Sequence, residues 1–489
     1  MLWRFWRFTV TPILYPDDPK ELPYWIPCHG FSFFHNSQTL LARASYFGAT
    51  KEPFALNVFG STLYIITDPT HTGEVYKNLD SLSFIEFVQG LFTTNGVSEA
   101  GIKAAYMDLP KDKPGFPNPL GQSLGGTLVR QMHIHQLYPG DNLDQLEQRF
   151  LDYFNHNVHL SAMRTACAPY ATAQTDTFID IPMMRWCSEY FVRAGGLAYF
   201  GPMLSAIDPQ LAPTFIAFDD LSWQAIYQYP KLLTRRMRAE RDQTQHAFKR
   251  YFDLPQSQRT GDAWFTKAME NELRALGVST DDIAIILLTL HWAINTNTRK
   301  TAFWMLTYIL HNPHYIPLLR AETAAAFSSS LSLTNPAHLH DSCPLLEAVW
   351  FETLRLASNA ASVRRVAADT RIGNNNNNNN NNKTILLRKG NRLMIPYRLL
   401  HFDEAVYGPD VHAFCPERFL GKENEGLTRG ASWRPFGGGK TMCSGRHVAK
   451  RATLMFLAMV VTRPVLGVMA VKDDEDYVVR VEERKVGLS

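Results

Sequence analysis

Cysteine is scarce, with six in 489 residues at positions 28, 167, 187, 343, 415 and 443. None forms a Cys-x-x-Cys pair and the gaps are long, which excludes a disulfide scaffold. Five of them read as free buried thiols of a reducing compartment; Cys443 differs because of the loop that carries it. Charge imbalance is also lacking: 49 Lys and Arg against 46 Asp and Glu give +3, so the whole chain carries no signature of nucleic-acid binding. Glycine and proline, 29 and 28, are near ordinary usage, which excludes collagen-like and low-complexity classes. Hydrophobic residues at 45 % and charged residues at 19 % exclude disorder as the main state, because disordered chains are poor in apolar residues.

Long apolar runs are missing too. A spanning helix needs about 20 mostly apolar residues. The start, MLWRFWRFTVTPILYP, is interrupted by Arg4 and Arg7 and ended by Pro12 and Pro16. Its charges also argue against a signal peptide. Residues 1–22 therefore read as a membrane-proximal or ragged segment. In the first case Trp3, Phe5, Trp6 and Phe8 lie in a lipid interface while the arginines meet headgroups. The run Ile283 to Ile294 is followed by Asn295-Thr296-Asn297-Thr298-Arg299-Lys300 and reads as a buried helix of a large core.

What the chain does contain is helical spacing over 140–160, 235–277, 343–357 and 444–462, and most strongly over 279–326, where Ser279 and Thr280 ahead of two aspartates suggest a helix start. Residues 16–60 read as irregular, punctuated by Pro23, Pro27 and Gly30. The stretch 53–69 reads as a hairpin around Gly60-Ser61. Strand signals return at 361–372 and 384–396, with a turn at Lys389-Gly390-Asn391. Nine asparagines, Asn374 to Asn382, cannot bury apolar surface and read as a solvated loop; Asn382-Lys383-Thr384 is formally a glycosylation sequon. No internal linker is visible. The expectation is a mainly α chain with small β-sheets, residues 23–489 forming a single large helix-rich domain.

The most informative stretch is Phe436-Gly-Gly-Gly-Lys-Thr-Met-Cys443-Ser-Gly445, followed at once by a helical pattern. Glycines let a backbone approach a flat ligand. A cysteine at a helix entrance, with Lys440, Arg446, His447, Lys450 and Arg451 nearby, is favoured as thiolate, and a thiolate is a soft axial ligand for haem iron.

This loop resembles the haem-binding signature of the cytochrome P-450 family of haem-thiolate monooxygenases, met by Phe436, Gly439, Cys443 and Gly445. It departs at Thr441, where the family usually has an Arg or His that meets a haem propionate. Glu352-Thr-Leu-Arg355, alone an ordinary i, i+3 helix pair, is similar to the family's Glu-x-x-Arg motif. Arg418 in Pro-Glu-Arg-Phe would then be the third member of a buried ion-pair network. Such a triad survives burial only when every charge is paired. Arg364, with Arg365 as the fallback, takes the place of the arginine that pairs with a propionate. His291 to Thr298 occupies the place of the oxygen-binding segment. Its Asn297-Thr298 stands where most members have an acid and Thr, and polar residues there can break the helix ladder. With Phe303-Trp304 following, it is similar to the sterol 7-alpha-hydroxylase and prostacyclin synthase branch. The resemblance runs from about Pro23 to the end, is fungal in style, and meets a shortened segment at Thr462-Arg463-Pro464-Val465-Leu466.

The resemblance implies the family fold, with haem b between the long central helix and the Cys443 loop. It implies an axial thiolate from Cys443, with Thr298 and Asn297 on the oxygen side. It also implies O2, a small apolar substrate (sterol, terpenoid or other secondary-metabolite scaffold) and NADPH electrons through a flavoprotein reductase. Residence on the cytosolic face of the endoplasmic reticulum, with peripheral membrane contact, follows by the same resemblance. Two other readings stay open: a haem-thiolate isomerase or dehydratase acting on a peroxide without a reductase, motivated by Asn297, and a degenerate haem binder, motivated by Thr441 and the shortened segment.

Overall fold

The computed structural model describes the chain except residues 26–27, 46–50, 228, 374–383, 422–425, 469–475 and 485–489. The asparagine run and its sequon therefore lie outside the described residues. The chain divides into two compact units. One comprises residues 1–89 and 354–443, the other 90–353 and 444–489.

The first unit is built on a six-stranded sheet in the order Lys20–Glu21, Phe54–Val58, Ser61–Ile65, Arg392–Pro396, Ala361–Val366, Leu82–Ser83. The hairpin over 53–69 forms as expected, Phe54 pairing Ile65 and Val58 pairing Ser61, with Gly60 supplying the positive φ that a tight turn needs. Ser61–Ile65 runs parallel to Arg392–Pro396, which pairs antiparallel with Ala361–Val366, Leu393 facing Arg364 and Ile395 facing Ser362. Strand residues two apart share a face, so Ser362, Arg364 and Val366 point to the buried side, beside Tyr64, Tyr76, Ile395 and Tyr397. Asp68 accepts from the Thr70 N–H at 2.7 Å and caps the helix Pro69–Lys77. That helix carries Tyr76 in its last turn.

One expectation for the N-terminal region is corrected. Residues 30–45 form a helix, kinked at Asn36 (φ −156°), where the sequence suggested irregular extended pieces. Residues 2–14 are helical and held to the unit. Arg7 grips Glu21 at 2.7 and 3.0 Å, and Arg4 donates to the Tyr24 carbonyl at 3.0 Å. Both arginines thus have protein partners, and Phe8 packs on Trp3 and Tyr24. Of the five cysteines expected to be buried, Cys28 and Cys415 are only half-buried.

The second unit is helical with a four-stranded antiparallel sheet, Pro464–Val468, Val478–Glu483, Phe178–Pro182, Ala173–Gln174. Helix Arg446–Thr462 passes directly into the first of these strands, so the short segment at 462–466 is taken up in sheet pairing. Its centre is the 32-residue helix Thr280–His311, opened by a Ser279 hydroxyl that accepts from the Asp282 N–H. Arg446–Thr462 and the helix Met183–Ile207 pack against it. Gly195 lets Met183–Ile207 approach closely, because a Cβ there would collide with Asn295 Oδ1. Gly195→Ala is therefore expected to overpack the crossing and destabilise the protein by about 1–3 kcal/mol. A thermal midpoint equal to that of the parent would show that the helices can part without cost. No helix among the described residues is long and apolar enough to cross a membrane.

Candidate functional site

The cysteine loop is a tight turn pressed onto a tyrosine. Gly437 and Gly439 have φ of +75° and +59°, the left-handed region that side chains disfavour. The Cys443 N–H donates to the Phe436 carbonyl at 2.9 Å and closes the loop. A Cβ on Gly438 would stand 2.8 Å from the Tyr76 ring, and one on Gly439 3.0 Å from Tyr76 Cβ and its carbonyl oxygen. The three glycines thus let the loop lie flat on Tyr76. Cys443 is exposed. It precedes the first residue of helix Arg446–Thr462 by three positions, and Gly445 is the N-cap.

Tyr76 is itself fixed by a chain of hydroxyls. Its OH is 2.8 Å from Ser362 Oγ, which is 2.7 Å from Tyr397 OH. Burial pushes the Tyr397 phenol well above its ordinary pKa, so it stays a neutral hydrogen-bonding group. Sequence reasoning missed this support. Tyr76, Ser362 and Tyr397 are separated by hundreds of positions, and only sheet register brings them together.

Arg364 stands beside the loop and is 2 % exposed. Its Nη2 donates to Thr441 Oγ1 at 2.6 Å and its Nη1 to the Val363 carbonyl at 2.8 Å. The guanidinium lies 5.0 Å from the Phe84 ring centroid and 5.6 Å from that of Tyr76. Its Nε has no hydrogen-bond partner among the described residues. Burial lowers its pKa, with Tyr76 and Tyr397 opposing. Arg365, one residue on, points to the other face, where it is exposed and pairs with Glu86 at 2.9 Å. Strand alternation therefore separates the two arginines that the sequence left as alternatives.

Glu352 and Arg355 are fully buried, not a solvated surface pair. Arg355 donates to the carbonyls of His401 (3.1 Å), Val411 (2.7 Å) and Ala413 (3.3 Å) and lies over the Tyr407 ring. Arg418 donates to the Tyr407 carbonyl and pairs with Asp410 at 2.9 Å. Arg355 and Arg418 thus meet on the segment 401–413, which they clamp through its carbonyls.

On the helix Thr280–His311, Asn297 is exposed and Thr298 half-buried. The polar residues that can break a helix ladder do not break this one. The Thr298 hydroxyl donates to the Ile294 carbonyl at 2.8 Å, and Thr289, Thr301 and Thr307 do the same one turn back, while the Thr296 hydroxyl reaches Asp219. These four threonines satisfy their hydroxyls along the helix without opening it. What sequence reasoning missed is the next residue. Arg299, 1 % exposed, is bound to Asp219 and donates to Ser188 Oγ at 2.7 Å. An arginine after an apolar helical run, with a buried acid in Leu211–Leu221, was the available signal.

The family model described as Cytochrome P450 matches residues 211–475. The chain is 26 % identical over 471 residues to a cytochrome P450 monooxygenase, poxD, of Penicillium oxalicum, covering 95 % of this chain and 90 % of the relative. It is 30 % identical over 218 residues to a bifunctional cytochrome P450/NADPH–P450 reductase of Gibberella moniliformis, covering 44 % of this chain and 18 % of that one. It is also 29 % identical over 204 residues to the prostacyclin synthase of Rattus norvegicus, covering 39 % and 40 %. In fold it is similar to the crystal structure of the cytochrome P450DA heme domain, with a TM-score of 0.67 at 15 % identity over 96 % of this chain and 98 % of that chain. The helix-rich architecture with small sheets expected from the sequence is the one observed.

Proposed function

The chain belongs to the cytochrome P450 family, and on that premise we propose that Cys443 is the axial thiolate of a haem that serves insertion of one oxygen atom of O2 into a small apolar molecule. The enzyme is an oxidoreductase of the cytochrome P450 monooxygenase type. The observation that carries the cofactor assignment is the loop itself: an exposed cysteine closing a glycine turn, beside a buried guanidinium whose Nε has no partner and to which no acidic side chain of the described residues is paired. A buried cation without a counter-charge is costly, and a haem carboxylate fits it. Bound haem would supply the iron chemistry by which dioxygen is activated.

The chain's own residues then divide the work. Cys443 donates sulfur, Phe436 accepts its N–H and fixes the loop, Gly439 keeps the loop flat, and Gly445 starts the following helix. Arg364 holds a carboxylate. Glu352, Arg355 and Arg418 act on assembly, with the two arginines holding the 401–413 segment. Thr298 and Asn297 serve the oxygen side, Thr298 through a hydroxyl that can move off the Ile294 carbonyl.

Electrons come from NADPH through a flavoprotein reductase, a reading supported by the likeness to a bifunctional P450/NADPH–P450 reductase. Residues 23–489 act as one catalytic domain. Leu2, Trp3, Phe5 and Trp6, all exposed, give residues 1–22 an apolar face suited to peripheral contact with the endoplasmic reticulum membrane on its cytosolic side. The substrate class is a sterol, terpenoid or other secondary-metabolite scaffold. Asn297 and the likeness to prostacyclin synthase favour one second reading, an isomerase that rearranges a peroxide without external electrons.

The reduced, carbon-monoxide-bound spectrum of the purified holoprotein should carry the red-shifted Soret band of a thiolate-ligated haem. Cys443→Ala should abolish that band while the far-ultraviolet circular dichroism stays the same; an unaltered spectrum would make another residue the ligand. NADPH and oxygen consumption with a reconstituted reductase, after a spectral screen for bound substrates, supports the monooxygenase. Turnover of an endoperoxide without reductase supports the isomerase.

A further inference from the structure

We infer that Thr441 is a positioning residue for Arg364, orienting its buried guanidinium so that Nε is left to bind a ligand carboxylate. This deepens the haem reading above and rests on it.

A threonine hydroxyl has one hydrogen and two lone pairs. Here the carbonyl of Gly438, 3.1 Å away, takes the hydrogen, and Arg364 Nη2 donates to the oxygen at 2.6 Å. Because Gly438 lies against the Tyr76 ring, the hydroxyl is tied to the rigid part of the loop. The opposite end of the guanidinium is held by the Val363 carbonyl, and the rings of Phe84 and Tyr76 flank it. With each Nη holding one bond to the protein, Nε is the one guanidinium nitrogen without a partner among the described residues. A buried arginine N–H without a partner is expensive, and no acidic side chain of the described residues approaches to offset the charge. The missing partner is therefore an anion brought by a ligand. An Arg or His at 441 would set a second cation against Arg364. A hydroxyl instead aims the one cation that is present.

The test is haem transfer from holoprotein to an excess of apomyoglobin. Thr441→Val, which keeps the shape and removes both hydrogen bonds, should lose haem about tenfold faster than the parent, about 1.4 kcal/mol. Thr441→Ser should restore the rate to within about twofold. In an Arg364→Gln background Thr441→Val should add nothing, whereas a purely structural role would give the same increment in both backgrounds. Haem dimethyl ester, which lacks the carboxylates, provides a measurement that needs no folded variant: it should leave the parent protein about tenfold faster than haem does. Equal loss by Thr441→Val and parent, an additive double variant, or equal retention of ester and haem overturns the inference alone. A parent protein that takes up no haem overturns both the inference and the function it rests on.

Discussion

Asp219→Ala is expected to cost the protein about 3–5 kcal/mol, the range for removing one partner of a buried ion pair. Asp219 is 3 % exposed and Arg299 1 %. Oδ1 accepts from Trp292 Nε1 at 2.7 Å and from the Thr296 hydroxyl at 2.8 Å; Oδ2 accepts from Arg299 Nε at 3.0 Å and faces Lys300 Nζ at 3.4 Å. Burial raises the carboxyl pKa, but Arg299, Lys300 and the hydrogen bonds outweigh it, so the net shift is downward. A lowered folded-state pKa means the stabilisation is fully present above the ordinary carboxyl range near pH 4 and is lost as pH falls through the folded value. The comparison therefore belongs at neutral pH. In Asp219→Ala the guanidinium keeps only Ser188 and Asp220, and Asp220 is half-exposed. The paired substitution Asp219→Leu with Arg299→Met should recover part of the loss, because an apolar pair carries no desolvation penalty. Urea midpoints decide it: a single variant within about 1 kcal/mol of the parent would mean that water reaches Arg299.

That cluster also shows where the sequence stopped being readable. The hairpin at 53–69 was legible because alternation and Gly60 are local signals. So was the long helix, whose apolar run Ile283 to Ile294 is buried at most positions. The helix over 30–45 was not, since Phe31, Phe33 and Phe34 cluster as they would in a strand and Asn36 interrupts the helical dihedrals. In the loop, the spacing of Phe436, Gly439, Cys443 and Gly445 was plain, as was the choice between Arg364 and Arg365, but that choice could be resolved only by which face of Ala361–Val366 is buried. The Tyr76, Ser362 and Tyr397 hydroxyls depend on register between distant segments, for which one sequence holds no signal, and for the Asp219–Arg299 pair the sequence offered only an arginine after an apolar run, not the helix crossing that supplies its partner. Whether Thr298 opens its helix or bonds back to Ile294 and preserves the ladder is likewise not readable from residue type alone.

Stability should also fall in mild acid, by about 3 kcal/mol between pH 6.5 and pH 5, through two histidines that have no room for a charge. His291, 1 % exposed, sits among the rings of Phe200, Phe215 and Phe248, and burial pulls its pKa down to about 3. Its polar neighbour is Asn295, which also donates to the His291 carbonyl at 2.9 Å. His401, fully buried, is likewise lowered to about 3, first by burial and then by the charge of Arg355, with Arg434 adding. Its Nε2 accepts from the Arg434 N–H at 3.0 Å, so protonation there must also break a hydrogen bond. The unfolded chain binds protons at both rings near pH 6.5 while the folded protein does not. Stability is therefore whole above that pH and drains away below it, at about 1.4 kcal/mol per pH unit for each ring. His291→Phe, which suits its aromatic surroundings and leaves the backbone carbonyl for Asn295, should remove one ring's share of the slope, up to about 1.4 kcal/mol per pH unit, in urea unfolding followed against pH. A parent midpoint that is flat from pH 6.5 to pH 5 would mean that both imidazoles find water or a counter-charge in the folded protein.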